Sequence, residues 1–310
     1  MLERTVVRFG ATPPLPLVVP ESRTPRVRRG DDTVVGVADD ELNDFEEHAF
    51  THEGKSRRIF RKGTGPGVIV IAEMPGISPK VLEFARRVAA IGCTAVVPHL
   101  FGAPGRDPNP DAHGLISTAG YSLSSLVPAC VRREFSVLAT GKTSPVVSWL
   151  RALAADEHGR CGGPGVGAVG MCFTGGFALA MATDDRLLAP VLSQPSLPFG
   201  VTKSHRASID ISPGDLDVVK QRCANDGLQV LGLRFRGDRF VPPERFAFLR
   251  HQLGDAFIAV ELDATAANPA ATMSPHSVLT EHLIDEPGQP TRDALDRVLD
   301  LFRTRLLISA

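Results

Sequence analysis

The chain lacks any apolar run near the ~20 residues that a bilayer-spanning helix requires. Its start also lacks the long apolar core of a secretory signal: Leu15 to Val19 is broken by Pro16 and bounded by Pro14 and Pro20. No charge of one sign predominates. Lys and Arg number 34 against 35 Asp and Glu, for a net charge of -1. That balance argues against nucleic acid or an anionic membrane as the main partner. The cysteines, Cys93, Cys130, Cys161, Cys172 and Cys223, are odd in number and form no C-x-x-C pair. Neither a disulfide framework nor a zinc site is therefore expected, and reduced thiols in a cytosol are. What remains is an ordinary globular composition, 43% hydrophobic and 22% charged over 310 residues, enough for one large core.

Residues 1–40 differ from the rest. Pro13, Pro14, Pro16, Pro20 and Pro25 lie among Arg23, Arg26, Arg28 and Arg29 with no sustained period of 2 or 3.6. This composition predicts a loosely ordered N-terminal extension to a domain spanning 41–310. The globular pattern begins near Phe50. Val68 to Ala72 is a continuous apolar run between Gly65-Pro66-Gly67 and Pro75-Gly76, as expected of a strand buried on both faces. Ser78-Pro79 then supplies an N-cap and a proline at the first helical position. Val81, Phe84, Ala85, Val88 and Ala89 place one apolar face on that helix. Gly92 ends it before the strand Thr94 to Val97.

Strand, helix and strand in such order make a parallel crossover unit. The alternation resumes with a helix near 144–157, a strand from Val166 to Val169 and a helix from Phe173 to Ala182. Further strands are expected at Leu187 to Leu192, Leu228 to Leu233 and Phe257 to Leu262, with a last helix from Thr291 to Leu307. The predicted fold class is α/β, with a mostly parallel central sheet and helices on both faces.

The stretch Val166-Gly167-Ala168-Val169-Gly170-Met171-Cys172-Phe173-Thr174-Gly175-Gly176 runs from an apolar strand into a nucleophilic side chain among small residues, then into a helix. That is the layout of a nucleophile elbow, a strained turn that projects one side chain above the sheet. A lone cysteine at a strand end is more often a small core residue. Gly165, Gly167 and Gly170 also spell G-x-G-x-x-G, but they overlap the strand instead of following it, which argues against a dinucleotide site.

A thiol with an ordinary pKa near 8.5 is only a few per cent ionised at neutral pH and needs a base. Hydrolases with this elbow order their triad as nucleophile, acid and histidine along the chain. Asp238, in Gly237-Asp238-Arg239-Phe240-Val241-Pro242, and His276, in Ser274-Pro275-His276-Ser277, follow Cys172 in that order, each beyond a strand's C-terminal end. His282 lies six residues further on and is expected to face solvent or pack locally.

These segments, with Ala72-Glu73-Met74-Pro75-Gly76, resemble the dienelactone hydrolase family of α/β-hydrolases over about residues 55–307. The resemblance implies that Cys172 is the nucleophile, His276 the base and Asp238 its orienting acid. It implies that Glu73 is an additional carboxylate beside the resting thiol, and that the N–H groups of Met74 and Phe173 form the oxyanion hole. It implies a small-molecule ester or lactone substrate and no metal or organic cofactor. Two positions depart from the family. Thr174 stands where glycine is usual. Thr280 stands where well-studied members place an arginine that clamps the substrate carboxylate. Arg132 and Arg133, an adjacent basic pair, are the candidates to replace that clamp, although a solvated helix face is the plainer reading of them.

Two other readings remain at this point. A cysteine-dependent amidotransferase has a cysteine elbow, but it resembles a pattern with Glu two residues after the histidine, where this chain has Val278. A non-catalytic ligand-binding protein on a hydrolase fold is the other.

Overall fold

The computed structural model describes residues 39–114 and 140–308, together with 117, 120, 121, 124 and 135. The expected extension (apart from Asp39 and Asp40), Cys130 and the pair Arg132-Arg133 lie outside these residues. Eight strands form one sheet: β1 Glu46–His52, β2 Lys55–Gly63, β3 Gly67–Ile71, β4 Thr94–Pro98, β5 Val166–Met171, β6 Leu187–Ser193, β7 Val230–Phe235 and β8 Phe257–Leu262. Their order is β1-β2-β4-β3-β5-β6-β7-β8. β1 pairs antiparallel with β2, and β2 with β4; from β4 to β8 every pairing is parallel.

β3, β4, β5 and β7 are buried at every residue. Covering on both faces is why they read as continuous apolar runs and not as alternation. Helices α1 (Pro79–Ala90) and α8 (Pro290–Phe302) cover one face; α3 (Val146–Cys161), α4 (Phe177–Met181), α6 (Pro213–Asn225) and α7 (Pro243–Leu253) cover the other. Short helices α2 (Pro110–His113) and α5 (Lys203–Arg206) lie in connections. The Ser78 hydroxyl caps α1 by accepting the Val81 N–H at 3.3 Å, with Pro79 opening the helix. Val81, Leu82, Phe84, Ala85 and Val88 are buried beneath it.

Three differences from the sequence reading have physical causes. The hairpin β1–β2 was not expected. Its residues, rich in Glu, Lys and Arg, are mostly exposed, so no core-facing alternation marks it. The helix expected over Phe173–Ala182 is broken: a 3-10 turn covers Cys172–Thr174, and α4 begins only at Phe177; at Gly175 and Gly176 a side chain would strike Pro195 and Ile209. The strand expected from Leu228 starts two residues later, at Val230, after the positive-φ Gly227. The expected fold class is otherwise borne out. Among the described residues no helix is long and apolar enough to cross a membrane.

The G-x-G-x-x-G glycines are packing positions. A Cβ on Gly165 would meet the Arg186 carbonyl at 2.4 Å, one on Gly167 the Phe302 ring at 3.0 Å, and one on Gly170 the Thr174 carbonyl at 2.1 Å.

Candidate active site

Cys172 stands at the end of β5 with φ +51°, a left-handed conformation that costs a non-glycine residue about 1–3 kcal/mol and tends to mark functional turns. Contacts below it hold the turn. The Cys172 carbonyl accepts the N–H of Gly175 at 3.0 Å and of Ser196 at 2.9 Å. Thr174, which stands where the family usually has glycine, braces the turn. Its hydroxyl accepts the Met171 N–H at 3.0 Å and lies 3.0 and 3.2 Å from the carbonyls of Ile71 and Ala72. That ties the elbow to the end of neighbouring β3, a link that glycine could not make. The Cys172 side chain is partly exposed, and its sulfur accepts from the Ser196 hydroxyl at 3.5 Å.

The structure brings the three expected partners together. His276 lies in the loop between β8 and α8, and Asp238 in the loop after β7. Both are buried, and His276 Nδ1–H donates to Asp238 Oδ2 at 2.7 Å. The other carboxylate oxygen, Oδ1, accepts the Phe240 N–H at 2.9 Å. Among the described residues His276 Nε2 is buried with no hydrogen-bond partner. Cys172 faces the ring closely enough to shift its titration. Burial depresses the imidazole pKa, yet the charge of Cys172 and the bonded Asp238 carboxylate outweigh it and raise the pKa well above the usual histidine range.

Glu73 is buried two residues beyond β3, with its carboxylate accepting from Thr280 Oγ1, from Ser277 Oγ at 2.7 Å and from Gln194 Nε2 at 3.1 Å. These bonds run to the histidine loop and to the end of β6, and none runs to the thiol. Thr280 therefore serves a protein carboxylate. The sequence reading missed Ser196 and Gln194, which sit in an unremarkable Ser-Gln-Pro-Ser run and owe their roles to tertiary proximity. It also missed Arg245. That guanidinium is fully buried, donates to the carbonyls of Ser208, Pro195 and Pro198 at 2.5–2.7 Å, and has its pKa lowered to about 10 by burial although the Asp238 charge raises it.

His282 is buried and local. Its Nδ1 accepts the Ser277 N–H and its Nε2–H donates to the Met273 carbonyl, both at 3.1 Å, and burial lowers its pKa. Aromatic rings pack around the elbow, most of them buried. Phe173 packs edge-on to Phe135 at 5.3 Å, Phe101 at 6.0 Å and Phe199 at 6.5 Å between ring centroids. Phe240, 52% exposed, stands edge-on to His276 at 5.4 Å. Among the described residues no group of three or more His, Cys, Asp or Glu is arranged to hold a metal.

The sequence profile of the dienelactone hydrolase family matches residues 59–219, from β2 through α6 and including Glu73 and Cys172. The chain belongs to the dienelactone hydrolase family. Solved structures share the fold at low identity. One is a provisionally named dienelactone hydrolase from Klebsiella pneumoniae subsp. pneumoniae (17% identity, 83% of this chain and 97% of that one, TM-score 0.52). Another is a dienelactone hydrolase-like promiscuous phosphotriesterase, P91, from metagenomic libraries (16% identity, 84% and 98%, TM-score 0.51). No curated protein matches the chain by sequence. Asp238 and His276 lie beyond the stretch that matches the dienelactone hydrolase profile, so their pairing rests on the geometry above.

Proposed function

We propose that this dienelactone hydrolase family member opens an ester or lactone by nucleophilic catalysis at Cys172. The observation that carries the reading is the strained Cys172 beside a buried His276 whose far nitrogen donates to Asp238. In the proposed cycle the sulfur leaves the Ser196 hydroxyl and gives its proton to His276 Nε2. The thiolate attacks the substrate carbonyl carbon, and the resulting oxyanion accepts N–H bonds from Phe173 and Met74. Phe173 lies in the first turn of a short helix, where N–H groups have no acceptor within the helix.

Collapse of the adduct breaks the carbonyl carbon–oxygen bond, and His276 returns its proton to the departing alkoxide, leaving a thioester on Cys172. His276 then takes a proton from water, whose oxygen attacks the thioester. The acid leaves and the thiol is restored. Asp238 fixes the imidazole tautomer with the proton on Nδ1 and stabilises the imidazolium. The proposed substrate is neutral, because Thr280 is engaged with Glu73 and the exposed ring of Phe240 stands against His276.

The test uses an activated aryl acetate. An acetyl group trapped on the Cys172 peptide, together with a burst of phenol, is expected. Turnover that persists in Cys172→Ala would overturn the assignment.

A further inference from the structure

Glu73 collects donors from the end of β6 and from the histidine loop. Oε1 takes the Thr280 hydroxyl, and Oε2 takes those of Ser277 Oγ and Gln194 Nε2. Gln194, strained at φ +37°, uses its own Oε1 to accept from Ser193 Oγ and from the Val278 N–H at 3.3 Å. The carboxylate and the carboxamide thus grip residues 277–280, the loop directly after His276. None of Glu73, Gln194, Ser277 and Thr280 is more than 6% exposed, so water cannot replace a lost donor, and a buried carboxylate is strongly disfavoured without one. On the other side, Glu73 continues from β3, which pairs with the elbow strand β5 and is tied to it again through Thr174.

We propose that Glu73 is a positioning residue that holds the His276 loop in register with the Cys172 elbow, with Thr280 as its partner in that lock and not a contact for substrate. The inference rests on the reading of His276 as the base. Among the described residues the His276 ring is hydrogen-bonded only to Asp238, which lies on a third loop. Where the imidazole stands relative to the sulfur therefore depends on the backbone of 277–280, and that backbone is anchored to the elbow's own pair of strands through Glu73.

The test compares parent, Glu73→Gln, Thr280→Val and Thr280→Ser by ester kinetics and by proton NMR of the His276 Nδ1–H shared with Asp238. Circular dichroism verifies folding. Misplacing a catalytic group by about an ångström costs on the order of a hundredfold. Glu73→Gln and Thr280→Val are therefore expected to lower kcat by roughly ten- to a hundredfold with KM within about twofold, and to broaden the Nδ1 proton signal by faster exchange. Thr280→Ser, which keeps the hydroxyl, should retain both parental kcat and the signal. Folded Glu73→Gln and Thr280→Val proteins with the parental proton signal would overturn the lock, and so would variants in which only the alkylation rate of Cys172 changes. A parent that hydrolyses no ester would instead remove the catalytic reading, while the NMR comparison would still decide the lock.

Discussion

Ser196 and Cys172 are joined twice: the Ser196 N–H donates to the Cys172 carbonyl at 2.9 Å, and the Ser196 hydroxyl donates to the Cys172 sulfur at 3.5 Å. The first bond supports the strained turn, and the second places the thiol at the mouth of the site. Iodoacetamide near pH 8 is accordingly expected to label Cys172 ahead of the other described thiols. Cys93 is buried with its pKa pushed up to about 11, and burial also raises Cys161 and Cys223. Peptide mapping after brief alkylation checks this. Equal or faster labelling of Cys93 would contradict it.

The two histidines of the 274–282 loop should separate in kinetics and stability. His276→Ala is expected to lower kcat by at least the ~10²-fold typical of losing a general base. His282→Ala should affect kcat less and lower the melting temperature more. Its ring bridges the Ser277 N–H and the Met273 carbonyl, and buried groups left unpaired cost about 1–3 kcal/mol each. The reverse ranking would reassign the base.

Substrate charge is a third discriminator. A charge-assisted clamp is worth roughly 1.5–3 kcal/mol, or about ten- to a hundredfold in kcat/KM. With Thr280 bound to Glu73, neutral aryl esters should match or exceed a carboxylate-bearing dienelactone in kcat/KM. A dienelactone preference of that size would require a cation from elsewhere. Phe240→Ala should raise KM for aryl esters about two- to tenfold, the range of one aromatic contact. Competition assays with the two substrates check both points.

A fourth expectation concerns pH and stability. Asp210 is fully buried; its Oδ2 accepts from Ser144 at 2.6 Å, its Oδ1 has no partner among the described residues, and burial raises its pKa to about 7. An unfolded aspartate titrates near 3.9. Between roughly pH 4 and 7 the folded protein therefore holds a proton that the unfolded chain has lost, so this contribution to stability is full below that window and falls as pH rises through it. Glu281, also raised to about 7, acts in the same direction. Asp210→Asn should flatten the decline in urea-unfolding free energy over that range. An unchanged slope would rule Asp210 out as its source.

The central strands could be read in the sequence because burial on both faces turns β3, β4, β5 and β7 into apolar runs, and the helix over Pro79–Ala90 because its cap and apolar stripe are local. The order Cys172, Asp238, His276 could be read for the same reason: each follows a strand. The charged hairpin β1–β2 could not, since little of its surface is turned inward. Nor could the partners of Glu73. Gln194, Ser277 and Thr280 lie 121, 204 and 207 residues away from it, and a hydroxyl or amide at such separations carries no local signal. For Thr174 the sequence showed only a departure from glycine; the place of its hydroxyl between two strand ends is set by tertiary contacts.

The Thr174 brace has a consequence for how such an enzyme can diversify. The bonds that fix the Cys172 turn come from Thr174, Gly175 and Ser196, and none of them is made by an exposed apolar side chain. Residues such as Phe240 and Met273, 52% and 46% exposed, can be exchanged without disturbing the sulfur. Reactivity and selectivity are therefore separately inherited. A lineage built on this elbow can change its rim while keeping the turn that holds Cys172.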